Sequence, residues 1–266
     1  MTCDLCNRTM KEIARSARDI YYKCPRCHYY STESINSTGQ FDYNEYDTFD
    51  CNQENRNNLL IQAARMLQYK FNLINKGELP QSFLDIGCSE GVFVEAYNNI
   101  VNENRAYGIE VSKNKIERCR DGGLKVYSFA DMPDIEFEFV LLRHVIEHID
   151  SPIEYLQSIK KYIKKGGIIC IETPHNENFD NTRNGNQLRE DRFLRDLYPP
   201  THICGFTPKA IRVCAQKVGL TPIKIITHDA GNPNWYYTDE EGKLSLWRCL
   251  LEKINMGTNV VAFLQK

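Results

Sequence analysis

The sequence predicts an α/β fold in which a parallel sheet of seven strands follows a small N-terminal cysteine module. Two observations predict it: apolar runs alternate with helical patterns from residue 82 onward, and two Cys-x-x-Cys pairs lie within the first 27 residues. Strands separated by helices pair in parallel, with helices on both faces of the sheet. A chain of 266 residues can hold one large α/β domain and one small module.

The spacing of apolar residues places each element along the chain. A helix over 55–76 ends before Gly77. Ser151 and Pro152 are typical of a helix start and Gly166-Gly167 of a helix end, which predicts a helix over 152–165. The other predicted strands lie near 82–87, 105–110, 124–128, 137–143, 167–173, 222–228 and 259–264, and the other helices near 91–99, 112–120 and 208–218.

Three regions follow from this order. We expect a zinc ribbon over 1–40, a linker and N-terminal helix over 41–78, and the α/β domain over 79–266, with an insertion at about 176–206 that covers or binds an acceptor. We find no internal repeat.

The cysteine module is predicted to bind zinc. Cys3-x-x-Cys6 and Cys24-x-x-Cys27 are separated by 17 residues, which is within the range of structural zinc sites. Four thiolates complete a tetrahedral shell and leave no open position for chemistry, so the zinc would be structural. His28, next to Cys27, is an alternative ligand.

A glycine turn follows the first strand of the domain. Gly87 and Gly91 allow the backbone to turn sharply and to approach a ligand, but the third glycine of a dinucleotide-binding motif is absent. Asp85 and Glu90 would repel a pyrophosphate and attract a ligand with an ammonium and a sulfonium group, such as S-adenosylmethionine. Glu110, one strand later, can accept both ribose hydroxyls.

The charge balance disfavours nucleic acid as a partner. The formal net charge is −2 and the isoelectric point is about 6.3, so no global basic field attracts a polyanion or an anionic membrane. No charged-then-apolar leader and no run of about 18 apolar residues occurs. We therefore expect a cytoplasmic protein without a membrane partner.

Four segments of residues 55–228 resemble the class I S-adenosylmethionine-dependent methyltransferases, which have a Rossmann-like sheet. They are LDIGCSEG (84–91), YGIE (107–110), VLLRHVIEHI (140–149) and GGIICIETP (166–174). The resemblance implies that Asp85 and the backbone of 87–91 hold the methionine end of the cofactor, that Glu110 holds the ribose, and that Asp131 with Met132 meets the adenine. The full expected cofactor-binding set is Asp85, Gly87, Cys88, Gly91, Phe93, Glu110, Val111, Asp131, Met132 and Arg143.

The His-x-x-Glu-His pattern at 144–148 and the later segment 202–207 resemble a branch of this family that acts in quinone and polysaccharide-precursor biosynthesis. That branch mostly modifies small molecules. With the ribbon in front, the chain resembles sugar-nucleotide and capsule-precursor methyltransferases, including those of O-methyl phosphoramidate pathways, and also zinc-bearing ribosomal RNA methyltransferases. The first resemblance implies O-methylation of a small, phosphate-bearing or nucleotide-linked precursor of a surface polysaccharide. An RNA base methyltransferase and a cofactor-binding adaptor without turnover are the alternatives.

An alcohol acceptor needs a base, and histidine suits that task near neutral pH. His144 lies at the carboxyl end of the fourth strand, where open α/β sheets bind ligands, and is the first candidate. His148 is the second, and Glu147 could orient either imidazole. In some relatives the equivalent Glu and His hold a divalent metal, so magnesium at Glu147 and His148 stays open.

The acceptor is expected to be a small anionic molecule. Arginines in the insertion could bind phosphate by forked hydrogen bonds, although a solvated helix is the alternative for many of them. The expected substrate-binding residues are Tyr43, His175, Arg192, Arg195 and His202. The sequence does not predict an oligomeric state.

Overall fold

A computed structural model describes residues 1–35, 53–75, 77–178, 196–228 and 253–266. The strands are β1 (Lys11–Arg15), β2 (Asp19–Lys23), β3 (Tyr30–Ser34), β4 (Phe83–Ile86), β5 (Ala106–Ile109), β6 (Lys125–Tyr127), β7 (Phe137–Arg143), β8 (Ile163–Pro174), β9 (Cys204–Gly205), β10 (Thr221–His228) and β11 (Asn259–Gln265). The helices are α1 (Gln53–Asn75), α2 (Val92–Val101), α3 (Lys113–Asp121), α4 (Pro152–Ile159) and α5 (Pro208–Val218). In this part of the chain no helix is long and apolar enough to cross a bilayer.

The predicted seven-stranded α/β sheet is confirmed. Its strand order is β10-β11-β8-β7-β4-β5-β6. Strand β4 pairs in parallel with β5 and β7, β5 pairs in parallel with β6, and β10 and β11 form an antiparallel pair. The carboxyl ends of β4, β5 and β7 therefore share one edge, where ligands bind in open α/β sheets.

One compact unit comprises the described residues of 42–143, 161–170 and 266. Its core is an aromatic cluster. Phe83 of β4 lies opposite Phe139 of β7, and their rings stack at 6.1 Å between centroids. Tyr97 of α2 stacks on Phe83 at 4.9 Å, and Phe71 of α1 meets Phe139 edge-on at 5.2 Å. Burial of these rings fixes both helices against the sheet.

The second unit comprises the described residues of 1–41, 144–160 and 171–265. Strands β1, β2 and β3 form an antiparallel sheet, and β9 joins it beside β3. Tyr21, Tyr30 and Leu197 are buried together, and Tyr29 packs against Phe206 with their ring centroids 5.4 Å apart. The N-terminal strands are therefore built into the same core as residues near 200, which the sequence did not predict.

The predicted helix over 152–165 is wrong at its carboxyl end. Helix α4 ends at Ile159, a single 3₁₀ turn follows over Lys160–Tyr162, and β8 already begins at Ile163. Gly166 and Gly167 lie inside β8. The strand needs a glycine at 167, because a Cβ there would lie 2.8 Å from the Lys164 carbonyl oxygen and 2.9 Å from that of Phe137. Gly167 therefore permits a close backbone approach, whereas Gly166 has φ of 79° and open space around an added Cβ; neither marks a helix end. Pro152 does begin α4, but Ser151 makes no side-chain capping bond.

Gly167→Ala should therefore destabilise the sheet. We expect a loss of about 1–3 kcal/mol in the free energy of unfolding, because the added methyl group overpacks against fixed carbonyl oxygens. Urea denaturation would measure it. The matched control is Gly122→Ala, where a Cβ would find ordinary contacts at 3.4 Å or more and the change should stay within about 0.5 kcal/mol. Equal losses in the two variants would contradict this account.

Candidate functional site

The glycine turn after β4 is held by three residues with positive φ. Gly87, Ser89 and Gly91 have φ of 77°, 49° and 70°. The N–H groups of Gly87 and Cys88 both donate to the carbonyl oxygen of Ile109, at 2.8 and 3.0 Å. Ser89 is notable because a non-glycine residue is strained there, and such strain often marks a ligand site.

Asp85 is a buried carboxyl group at this turn. It is 3% exposed, and burial raises its pKa to about 7, while the charge of Arg143 lowers it and that of Glu110 raises it further. Its ionised form is therefore only partly compensated by neighbouring groups in the described structure. A cation bound beside Asp85 would supply the remaining compensation.

Glu110 closes the turn from the next strand. Its carboxylate accepts hydrogen bonds from the backbone N–H groups of Ser89 at 2.8 Å, Val111 at 2.8 Å and Ser112 at 2.9 Å. A carboxylate offers about four lone-pair positions, so Glu110 fixes the turn and retains capacity for a further donor, such as a ribose hydroxyl.

Glu90, expected from the sequence to repel a phosphate, is paired with an arginine. Arg118 pairs with its carboxylate at 2.7 Å. Arg56 of α1 donates to the Glu90 carbonyl oxygen and also pairs with Glu95. Arg118 therefore offsets part of the negative charge at this turn.

The other predicted cofactor-binding residues lie in the same unit. The Arg143 guanidinium stands 5.6 Å from the centroid of the Phe93 ring. The Cys88 sulfur is buried where a Cβ on Gly108 would lie 2.6 Å from it. Val111 is 58% exposed and Met132 is buried, and Asp131 accepts a hydrogen bond from Ser128 at 2.7 Å.

A group of histidines begins where β7 ends. His144, with φ of 51°, lies outside the strand and donates its N–H to the Glu172 carbonyl oxygen at 2.9 Å. Its Nδ1 is 3.1 Å from Oε1 of Glu147, which lies in the 3₁₀ turn Ile146–His148. The Thr173 hydroxyl donates to Oε2 of Glu147 at 3.0 Å. An imidazole held in this way by a carboxylate has its Nε2 available for chemistry.

Burial alone would raise the pKa of Glu147, but the hydrogen bond and charge of His144, with a smaller contribution from His148, lower it below its ordinary value. Glu147 is 1% exposed. It is therefore ionised at neutral pH and can fix the orientation and tautomer of its histidine partner.

His148 and His202 lie together in the same unit. Their ring centroids are 4.7 Å apart, and Tyr198 stacks on His202 at 4.3 Å. Nδ1 of His148 is 2.9 Å from the Thr201 carbonyl oxygen, and Nδ1 of His202 is 3.1 Å from that of Asp196. Burial lowers the pKa of His202, so its ring is neutral near pH 7 with Nδ1 protonated.

A model of the methyltransferase domain family matches residues 55–225, more than half of the chain. The chain belongs to this methyltransferase family. In the solved structures, a SAM-dependent methyltransferase from Archaeoglobus fulgidus aligns with a TM-score of 0.53 and 19% identity, over 78% of this chain and 94% of that one. The plantazolicin methyltransferase BpumL in complex with SAH aligns with a TM-score of 0.52 and 16% identity, over 81% and 91%. Likeness at these identities shows the fold.

Two curated relatives match shorter stretches. An uncharacterized protein of Methanocaldococcus jannaschii is 26% identical over 117 residues, 42% of this chain and 54% of that protein. The mitochondrial ubiquinone biosynthesis O-methyltransferase of Dictyostelium discoideum is 26% identical over 110 residues, 34% of each chain. The methyltransferase thus spans about half the length, or less, of these relatives.

The sequence left open whether Glu147 and His148 hold magnesium, and the structure shows which donor atoms lie near them. Glu147, His148 and His202 have ligand atoms within 4.8 Å of one another. Mg²⁺ prefers oxygen ligands and octahedral geometry, whereas two imidazoles and one carboxylate suit a transition metal. The donor set therefore does not fit magnesium, and Glu147 already accepts hydrogen bonds from His144 and Thr173.

The residues predicted to bind the acceptor do not all lie together in the described structure. His202 joins the histidine group, whereas His175 is 2% exposed with Nδ1 3.0 Å from the Gly257 carbonyl oxygen. Tyr43, Arg192 and Arg195 lie outside the described residues.

The four predicted zinc ligands come together. Sγ of Cys3 is 3.5 Å from that of Cys27, and Sγ of Cys6 is 3.4 Å from that of Cys24. Thiolates around a tetrahedral zinc are about 3.8 Å apart, given zinc–sulfur bonds of about 2.3 Å, so the cluster fits this metal. His28 is not in the cluster, because its Nδ1 lies 3.0 Å from Glu177.

Sequence reasoning missed Arg56, Arg118 and Thr173. The two arginines lie on helices, where their charges resemble an ordinary solvated face, and only the tertiary structure pairs them with the glycine turn. Thr173 carries a weak signal, because it is a polar residue at the end of the apolar strand β8.

Asp85→Asn should change how stability depends on pH. Because the folded-state pKa of Asp85 is raised to about 7 from about 3.9 in the unfolded chain, folded wild-type protein holds a proton that the unfolded chain lacks. Its stability should therefore fall by about 1.4 kcal/mol per pH unit from about pH 5 to 7 through this group. The variant lacks this contribution, so urea unfolding should show its stability rising relative to wild type over that range. Parallel curves would contradict the raised pKa.

Proposed function

We propose that this methyltransferase transfers the methyl group of S-adenosylmethionine to an oxygen atom of a small acceptor, with His144 as the general base. The observation that carries the proposal is the pair of His144 and buried Glu147, with Nδ1 and Oε1 3.1 Å apart. A base oriented by a carboxylate is what an alcohol or phenol acceptor requires.

The residues at the glycine turn fit the donor. Asp85 is a buried carboxyl group whose charge is only partly compensated, which suits the ammonium group of the methionine end, and Glu110 has capacity for the ribose hydroxyls. Phe93, Arg143, Val111, Asp131 and Met132 complete the proposed donor site, with Cys88 and the glycines at 87 and 91. When bound, the donor supplies an electrophilic methyl group on a sulfonium.

In this proposal His144 and Glu147 together carry out one proton transfer. Nδ1–H of His144 donates to Glu147, which would leave the lone pair of Nε2 to take the proton of the acceptor hydroxyl. The imidazolium that forms is stabilised by the adjacent carboxylate, and Thr173 keeps that carboxylate in place. The positive φ of His144 is strain of the kind found at active sites. His144 directly follows Arg143, a proposed donor residue.

His148 is the second candidate base. Its Nδ1 contacts the Thr201 carbonyl oxygen rather than a carboxylate, so a positive charge on its ring would be less stabilised than on His144. We assign His148 and His202 to the wall of the acceptor site, and Glu147 to orienting His144.

The acceptor is proposed to be a small, phosphate-bearing or nucleotide-linked precursor of a surface polysaccharide. Its support is the likeness of the histidine segments to small-molecule enzymes and the arginines of the insertion. Arg192 and Arg195 would bind the phosphate, and Tyr43 is a further proposed substrate-binding residue. A ribosomal RNA acceptor is disfavoured by the net charge of −2.

The test uses radiolabelled S-adenosylmethionine with three acceptor sets: catechols, nucleotide-linked sugars and ribosomal RNA. Transfer to a small hydroxyl compound supports the proposal, and transfer to RNA alone would overturn it. His144→Gln should lower kcat by about 10²–10⁴-fold and leave the affinity for S-adenosylhomocysteine, measured by calorimetry, unchanged. Glu147→Gln should also lower kcat, by a smaller factor.

His148→Gln is the matched comparison, because it removes a neighbouring imidazole and keeps the hydrogen bond between His144 and Glu147. We expect a smaller loss of kcat than in His144→Gln. The opposite ranking would assign the base to His148, and equal activity in all three variants would remove general base catalysis from the mechanism.

We also propose that Cys3, Cys6, Cys24 and Cys27 bind one structural zinc ion. Atomic absorption on purified protein should give about one zinc per chain. Cys27→Ser should lose the metal, whereas Cys214→Ala, which removes a buried thiol from α5, should retain it. A metal-free wild-type protein with full stability would contradict the assignment.

A further inference from the structure

Residues 203 and 204 connect the cysteine ribbon to the turn that carries Glu147. The N–H of Ile203 donates to the backbone carbonyl oxygen of Glu147 at 3.0 Å. The carbonyl oxygen of Ile203 accepts from both the backbone N–H and the hydroxyl of Thr32, each at 3.1 Å. One peptide segment is thus held by β3 of the ribbon on one side and by the Glu147 turn on the other.

A second connection runs parallel to the first. The buried thiol of Cys204 donates to the carbonyl oxygen of Ile149 at 3.2 Å, and the hydroxyl of Tyr29 lies 2.7 Å from the same sulfur. Tyr29 is fully buried and follows Cys27 by two residues. The position of Tyr29, and with it that of Cys204, therefore depends on the fold of the second cysteine turn.

The second cysteine turn has its own hydrogen bonds. The N–H of His28 donates to the Cys24 carbonyl oxygen at 3.0 Å, and the N–H of Cys24 donates to the Tyr29 carbonyl oxygen at 2.8 Å. His28 has φ of 59°, which is costly for a residue other than glycine. Small metal modules often fold only when the metal ties such turns together.

A third contact joins the ribbon to the residues after β8. Glu177 accepts hydrogen bonds from Lys23 at 2.7 Å, His28 at 3.0 Å and the Tyr30 hydroxyl at 3.1 Å. These donors flank or follow the cysteine pair at 24 and 27. Glu177 lies two residues beyond His175, so this contact also ties the ribbon to the start of the proposed acceptor insertion.

We propose that the cysteine ribbon is a positioning element of the methyl-transfer site, and that Tyr29 and Thr32 act through Cys204 and Ile203 on the Glu147 turn. The inference rests on the proposed function, because it assigns the ribbon to the same histidine pair. Metal binding at the ribbon fixes the position of Tyr29. The hydrogen bonds through Ile203 and Cys204 then fix the position of residues 147–149, and Glu147 in turn orients His144. Loss of the metal then impairs methyl transfer through the base rather than through donor binding.

The decisive variant is Tyr29→Phe combined with Thr32→Val. It removes one hydroxyl from each bridge, keeps the side-chain shapes, and leaves all four cysteines in place. The matched control is Tyr22→Phe, which removes a hydroxyl from the neighbouring strand β2, where it donates only to Glu33 at the exposed surface of the ribbon. Both proteins should retain one zinc ion per chain by atomic absorption.

Hydrogen–deuterium exchange provides the readout that does not depend on activity. In the double variant, and in wild-type protein stripped of zinc, peptides covering 144–150 and 200–206 should exchange faster, whereas a peptide covering 83–91 should not change. The histidine Cε1–H resonances of His144 and His148 should shift in the same samples. In Tyr22→Phe both measurements should match wild type.

The activity readout separates positioning from donor binding. With the small hydroxyl acceptor found above, kcat of the double variant should fall about 10-fold, since small misplacements of reacting groups are costly, and the dissociation constant for S-adenosylhomocysteine should stay within about 2-fold. Unchanged exchange at 144–150 in both the zinc-bearing double variant and the stripped wild type would overturn the inference. If wild type methylates none of the small acceptors, the proposed function fails, whereas the exchange and resonance measurements still decide whether the ribbon positions the Glu147 turn.

Discussion

A carboxylate removed from water needs donors or a positive charge nearby, and this constraint organises both parts of the methyltransferase. Glu110 meets it with three backbone N–H groups, which fixes the glycine turn. Glu147 meets it with an imidazole and a hydroxyl, which fixes the orientation of His144. Asp85 meets it only in part, through the charge of Arg143, so its pKa rises to about 7. Asp85 is therefore the carboxylate whose ionised form a cationic ligand would stabilise most.

The strand and helix order could be predicted because it depends on local apolar periodicity, which survives in the tertiary structure. The end of α4 could not be predicted in this way. Gly166-Gly167 is an ordinary helix-end signal by itself, and only the carbonyl oxygens of Lys164 and Phe137, packed where a Cβ would lie, reveal that β8 needs a glycine at 167. The same limit applies to Glu90, since its pairing with Arg118 depends on a contact between residues 28 positions apart.

The cysteine pairs and the histidine pair differ in how well the sequence predicted them. Each Cys-x-x-Cys is a local turn, so its spacing alone indicates a metal site. The orientation of His144 by Glu147 requires Thr173 from β8 and a positive φ at His144, which no spacing shows. Sequence reasoning could therefore rank His144 before His148 as the candidate base, but it could not show that Glu147 contacts His144 at 3.1 Å.

The two cysteine turns have backbone geometry that supports the proposed positioning role of the ribbon. Cys3 and Cys24 each accept, at their carbonyl oxygens, an N–H from the residue four positions later, and both of those residues, Asn7 and His28, have positive φ. Strain of this kind persists only where surrounding bonds impose it. The turn at His28 continues directly into Tyr29 and β3, so the geometry that the metal would impose at Cys24 and Cys27 would be passed on to this strand. The backbone N–H and the hydroxyl of Thr32 join that strand to Ile203, which is the route by which we propose that a structural site without an open coordination position acts on the Glu147 turn.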